Sequence, residues 1–120
     1  MDTATTLITV VEAPAFSRRA EKLLSKSEYQ DLIVYLAGHP EEGDEIPGTG
    51  GVRKMRFAAQ GKGKSGGVRV IYYYFDQGIP IYALVVYGKG ERADLKPDEK
   101  KAVAAFAYAA KAAAQAKRGG

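Results

Sequence analysis

The sequence predicts an α+β domain with the element order β-α-α-β-β-β-α: a mainly antiparallel sheet with a helical hairpin on one face and a C-terminal helix. Three observations carry this. Short β-branched and aromatic runs recur at residues 6–12, 52–58, 68–75 and 79–87, each bounded by turn residues. Two stretches of helical periodicity lie between the first and second of these runs. A proline-opened, alanine-rich segment closes the chain.

The first run, from Thr6 to Glu12, is short and β-branched and reads as a strand. Pro14 then favours a helix start, and Phe16, Ala20, Leu23 and Leu24 recur at helical spacing. Ser25, Lys26 and Ser27 interrupt that helix. Ser27, with Glu28 and Gln30 behind it, is a candidate cap for a second helix that carries Tyr29, Leu32, Ile33, Leu36 and Ala37 on one face. Gly38, His39 and Pro40 end it, and the short connection predicts an antiparallel hairpin. Between Ile46 and Gly51 the glycines Gly48, Gly50 and Gly51 suggest a phosphate cradle, but the segment leads into a strand instead of opening a helix, so it reads as a tight turn. Asp76, Gln77 and Gly78 form a hairpin turn, and Pro80 stands near the start of the last strand, where a missing donor is tolerated. Pro97, Asp98 and Glu99 open the last helix, with both acids in its first turn as the helix dipole favours. Val103, Phe106, Ala107 and Ala110 give that helix an apolar stripe, whereas residues 109–120 have little to bury and are expected to fray.

At 120 residues, with 46% apolar and 27% charged side chains, residues 1–120 read as one globular domain. The absence of cysteine excludes a disulfide framework, a thiolate metal site and a thiol nucleophile. His39, the one histidine, stands beside Pro40 at a helix end and reads as a cap on carbonyls. No metal site and no cofactor are expected. No apolar run approaches the roughly 18 residues of a membrane span, and the N-terminus lacks the pattern of a secretory leader. A cytoplasmic protein without a membrane partner is the expectation.

The formal charge of +4 matters less than where the charges fall. Glu41, Glu42, Asp44 and Glu45 crowd together, and no further acid occurs until Asp76. In between lie Arg53, Lys54, Arg56, Lys62, Lys64 and Arg69. Strand alternation places Lys54 and Arg56 on one face, with Arg53 on the opposite face beside Met55 and Phe57. Arg69 shares a face with Ile71 and Tyr73, so Tyr73 is placed to stack on a base, while Tyr87 falls with Ile81, Ala83 and Val85 and reads as core. A basic sheet surface with aromatic neighbours and a flexible basic loop suits a polyanion, of which nucleic acid is the commonest.

Taken together, the Arg53-Lys54-Met55-Arg56 cluster, the GKGKSGGVRVIYY run and the closing Tyr87-Gly88-Lys89-Gly90-Glu91 resemble the RelE/ParE toxin superfamily, and most of all its HigB-like branch from bacterial type II toxin–antitoxin pairs. The resemblance runs over nearly the whole chain. It implies a RelE-like fold and a metal-independent endoribonuclease, an mRNA interferase that cuts messenger RNA in the ribosomal A site. In the family mechanism the ribose 2′-hydroxyl attacks the adjacent phosphorus and leaves a cyclic phosphate and a free 5′-hydroxyl. Such a step needs a base, cations around the phosphate and an acid for the leaving oxygen.

Carried over by position, the resemblance makes Lys54, Arg56 and Arg69 the catalytic candidates, with Lys89 beside them, and Lys62 and Lys64 RNA-binding ones. Strand alternation adds Tyr73 to the RNA-binding candidates, and Arg53 as either an RNA contact or a structural residue at the strand end. Three positions depart from the best-known RelE enzymes. Gly90 stands where they carry an arginine, leaving Lys89 as the nearest cation; Lys96 falls near their tyrosine; and Arg56 replaces a second lysine. A guanidinium cannot give up its proton near neutral pH, so the base and the acid stay unassigned. The implied partners are ribosome-bound mRNA and a cognate antitoxin of the helix-turn-helix kind. Two other functions stay open on the same fold: a ParE-like poison of DNA gyrase, and an RNA-binding regulatory domain without chemistry.

Overall fold

The computed structural model describes residues 7–58 and 67–119. The elements run β1 (Val10–Glu12), α1 (Pro14–Leu23), α2 (Lys26–Gly38), β2 (Asp44–Glu45), β3 (Val52–Phe57), β4 (Val68–Tyr73), β5 (Ile81–Gly88) and α3 (Pro97–Gly119). This is the expected order with one addition, the two-residue β2. The strands form one sheet in the order β1-β5-β4-β3-β2. β1 pairs parallel with β5, and every other pairing is antiparallel.

Local chemistry explains the helix starts. Pro14 is the first residue of α1, where its missing N–H goes unneeded. α2 is capped by Ser25, not by the expected Ser27. Ser25 Oγ accepts from the Glu28 amide at 3.1 Å, and Glu28 Oε1 accepts from the Ser25 amide at 2.8 Å. Ser25 and Glu28 have the Ser-x-x-Glu spacing of this reciprocal box; Ser27 has Gln30 at the equivalent spacing but already lies in the first turn of the helix. At the far end of α2, His39 Nδ1 donates to the Tyr35 carbonyl at 2.9 Å and its ring stacks on Tyr35, the capping role its position suggested. The glycine-rich segment before β3 is a turn as expected: Thr49 is fully buried, donates to the Ile46 carbonyl and accepts from the Val52 amide.

The sheet is covered on both faces. On one, Phe16 and Ala20 of α1 and Leu32 and Leu36 of α2 pack on Met55, Val70, Tyr72, Ile81 and Ala83. On the other, Val103 and Ala107 of α3 close over Val52, Ile71, Tyr73 and Tyr87. β4 is therefore buried on both sides for most of its length, which is why it reads as an almost continuous apolar run.

The strand faces need one correction. The register between β4 and β5 slips between Ile71 and Tyr72: Ile71 pairs with Val85 and Tyr72 with Ala83, leaving Leu84 as an extra residue. This bulge sends Tyr87 and Val85 toward α3 while Ile81 and Ala83 face α1 and α2. Tyr87 is core, as expected, but not on the face that simple alternation assigns.

The end of α3, expected to fray, is helical to Gly119. Charge holds it where apolar surface is lacking. Arg118 donates to both Asp76 oxygens, at 2.6 and 2.9 Å, and its guanidinium lies over the Phe75 ring. Among the described residues no helix is long and apolar enough to cross a membrane.

Candidate nucleic-acid interface

β3 and β4 are the two arms that lead into and out of residues 59–66. Their antiparallel register sets Arg56 directly opposite Arg69 and Lys54 opposite Ile71. Residues opposed in this way share a face, with Cβ atoms roughly 4.5–5.5 Å apart. On its other side Arg69 faces Tyr87 of β5. Lys54, Arg56 and Arg69 thus stand on the α3 side of the sheet, beyond the part that α3 covers, and line one cleft of about 570 Å³. Glu42, Gly43 and Asp44 join the lining from the chain around β2, and Ala93 from the segment after β5.

That segment is pinned from three directions. Glu91 pairs with Arg19 of α1 and accepts from the Gly88 amide at 2.7 Å. Arg92 pairs with Glu99 of α3 and lies over the Tyr87 ring, 4.5 Å from its centroid. Asp94 Oδ1 accepts from the Leu95 amide at 2.9 Å and sits 3.5 Å from Lys54 Nζ. The Leu95 amide, with Lys54 and Lys100 adding to it, holds the Asp94 carboxyl below the usual carboxylate range. Beneath Arg69, burial pushes the Tyr87 hydroxyl up, and it donates to the Ala93 carbonyl at 3.4 Å.

Among the described residues, neither the Arg56 nor the Arg69 guanidinium has an ion-pair or hydrogen-bonding partner. Two unpaired forks facing one another across a hairpin repel, and an anion between them would relieve the repulsion. Phosphate suits the geometry, because a guanidinium can meet it through two parallel hydrogen bonds.

Residues 11–118 match a protein family described as the RelE toxin of the RelE/RelB toxin–antitoxin system. The chain belongs to the RelE toxin family. A solved structure of an arginine-to-alanine double mutant of the E. coli toxin RelE, in its free state, has the same fold. The two superpose with a TM-score of 0.53 at 18% identity, over 83% of this chain and 96% of that one. The protein is thus the toxin of a toxin–antitoxin pair, and its partner is an antitoxin.

In this RelE-family toxin the eight residues singled out from sequence are sorted as follows. Lys54, Arg56 and Arg69 come together in the cleft. Lys89 lies just past β5, exposed and outside the cleft lining, its amide bonded to the Gly67 carbonyl at 3.1 Å. Arg53 is spoken for on the opposite face: it donates to the carbonyls of Glu41 and Gly43, at 3.0 and 2.6 Å, and lies 3.5 Å from Glu45. That makes it a brace for the chain leading into β2. Tyr73 is only 2% exposed, because α3 packs on its face of the sheet, so no base can stack on its ring. Lys62 and Lys64 lie outside the described residues.

Two carboxylates near the Lys54, Arg56 and Arg69 cluster were not foreseen, Asp44 and Asp94. The first had a readable signal. The tight turn over residues 46–51 folds the chain back so that Glu45 meets Arg53 and Asp44 meets Lys54. A two-residue strand with no apolar face gave no periodicity to detect. Asp94 had no local signal, since only the folding of its segment over the sheet brings it to Lys54.

Proposed function

We propose that this toxin is a ribosome-dependent mRNA endoribonuclease that halts translation, acting on message in the ribosomal A site. The observation that carries the reading is the opposition of Arg56 and Arg69 with Lys54 on the same face of one open cleft. Attack of a ribose 2′-hydroxyl on the next phosphorus adds negative charge to the phosphoryl oxygens. Preorganised cations gain more from that state than from the ground state, so they raise rate and not only affinity. The chain's own cations supply this charge, without a metal in the proposed step. A free toxin of this kind would be lethal, and an antitoxin of the helix-turn-helix class that covers the cleft would silence it.

A second reading, an RNA-binding domain without chemistry, draws on the position of Lys89 outside the cleft lining. One experiment separates the two. Purified toxin is added to ribosomes stalled on a defined message, and the RNA ends are mapped. Cuts within the reading frame that leave a 2′,3′-cyclic phosphate and a 5′-hydroxyl are expected. Message that is bound but intact would overturn the nuclease reading, and arrest of DNA synthesis before translation in cells would turn attention to gyrase.

A further inference from the structure

The nuclease reading leaves the proton acceptor unnamed, and the cleft contains a candidate. We infer that Asp44 is the general base, taking the 2′-hydroxyl proton while Arg56 and Arg69 clamp the phosphate; the inference rests on that reading. Asp44 stands directly opposite Lys54 in the pairing of β2 with β3. It therefore projects on the face of Lys54, Arg56 and Arg69, and it lines the same cleft.

The other acceptors are committed. Glu42 accepts a hydrogen bond from the Tyr35 hydroxyl, and Asp94 is held by the Leu95 amide and Lys54. Tyr87 points at the Ala93 carbonyl and His39 at that of Tyr35. Guanidinium and ammonium groups have no acceptor to offer. Among the described residues, Asp44 is the cleft carboxylate whose side chain makes neither an ion pair nor a hydrogen bond. It is also exposed, on the short edge strand, where a bound chain can reach it.

A carboxylate beside a phosphate site works against binding, because it repels the anion the arginines attract. Its presence makes sense for a step that must accept a proton. In that step the 2′-oxygen forms its bond to phosphorus as its proton passes to Asp44. The bond from phosphorus to the 5′-oxygen breaks, and that oxygen takes a proton from the Lys54 ammonium. The products are a 2′,3′-cyclic phosphate and a 5′-hydroxyl. Solvent then returns the proton from Asp44 to Lys54, leaving the protein unchanged.

The test is single-turnover cleavage of ribosome-bound message by the wild-type chain, Asp44→Asn and Lys54→Ala, across pH, with thermal unfolding of each. Asp44→Asn is expected to slow cleavage by about 100- to 10,000-fold, the usual contribution of a positioned base. Binding of a message blocked by a 2′-methoxy group should be unchanged or tighter. The rate left to Asp44→Asn should climb steadily with pH as hydroxide takes over. Replacing the scissile 5′-oxygen with sulfur, which needs no acid to leave, should rescue Lys54→Ala and leave Asp44→Asn slow. A folded Asp44→Asn that cuts at the wild-type rate, or one that sulfur rescues, overturns the assignment while leaving the nuclease reading intact. Failure of the wild-type chain itself to cut overturns both.

Discussion

Arg56 on β3 and Arg69 on β4 are directly opposed across the hairpin, on the same face as Lys54, and among the described residues no acid pairs with either arginine. Like charges in that relation destabilise a sheet. A fold that keeps them there is poised for an anion. Replacing Arg69 with alanine should lower single-turnover cleavage about a hundredfold or more, the scale of one lost transition-state donor. The melting temperature should stay level or rise slightly, since the repulsion goes with the side chain. The double variant with Arg56→Ala should lose less than the product of the single effects, because both forks act on one phosphate. Full activity in a folded Arg69→Ala protein would remove the site.

Arg53 makes the opposite prediction. Its guanidinium holds two carbonyls at the start of the β2 region, away from the cleft arginines. Arg53→Ala should lose about 1–3 kcal/mol of stability by stranding those acceptors, read from the denaturant midpoint. The salt dependence of RNA binding should keep its slope, because no phosphate contact is removed. A shallower slope would show Arg53 at the RNA after all.

Gly43 tests the placement of β2. A Cβ built there falls 2.8 Å from the Lys54 carbonyl oxygen and 2.9 Å from the Tyr72 hydroxyl, which accepts from the Gly43 amide. The Lys54 oxygen belongs to backbone and cannot swing aside. Gly43→Ala should therefore push the chain off β3 and destabilise it by about 1–3 kcal/mol, as overpacking does. Because Asp44 is the next residue, cleavage should fall further than stability explains when assayed well below the melting temperature. A variant with wild-type stability and rate would show that β2 has room to spare.

The anchor of α3 should respond to acid. The Arg118 guanidinium, helped by the Gly78 amide, lowers the Asp76 carboxyl to about 2. A carboxyl depressed in the folded state stabilises fully above its ordinary value and loses that contribution as pH falls through the lowered one. Protection of the amides in the last two turns of α3, corrected for the intrinsic pH dependence of exchange, should thus be high at neutral pH and fall from about pH 4 downward. Asp76→Asn should show the same low protection at every pH. Equal protection in both proteins would mean that packing alone, around buried Ala114, holds the helix end.

Much of the site was legible because strand geometry is local. Alternation along residues 52–57 put Lys54 and Arg56 on one face and Arg53 on the other, and the structure keeps both assignments. The same period put Arg69 beside Ile71 and Tyr73. Pro14 and Pro97 marked helix starts because a fixed φ and a missing donor suit only the first turn. These features follow from the sterics of a few neighbouring residues, and the sequence by itself determined them.

What covers each face was decided elsewhere. Tyr73 looked open to a base and is buried, because α3 packs there through Val103 and Ala107, more than twenty residues away in sequence. Tyr87 changed face because the bulge at Leu84 arises in the pairing of two strands and not within one. Asp44 and Asp94 reached the basic cleft only when β2 paired with β3 and the segment after β5 folded over it. Periodicity tells a side chain which way to point; register between strands and the landing of a helix depend on contacts between distant parts of the chain, so only the tertiary structure could set carboxylates beside the arginines.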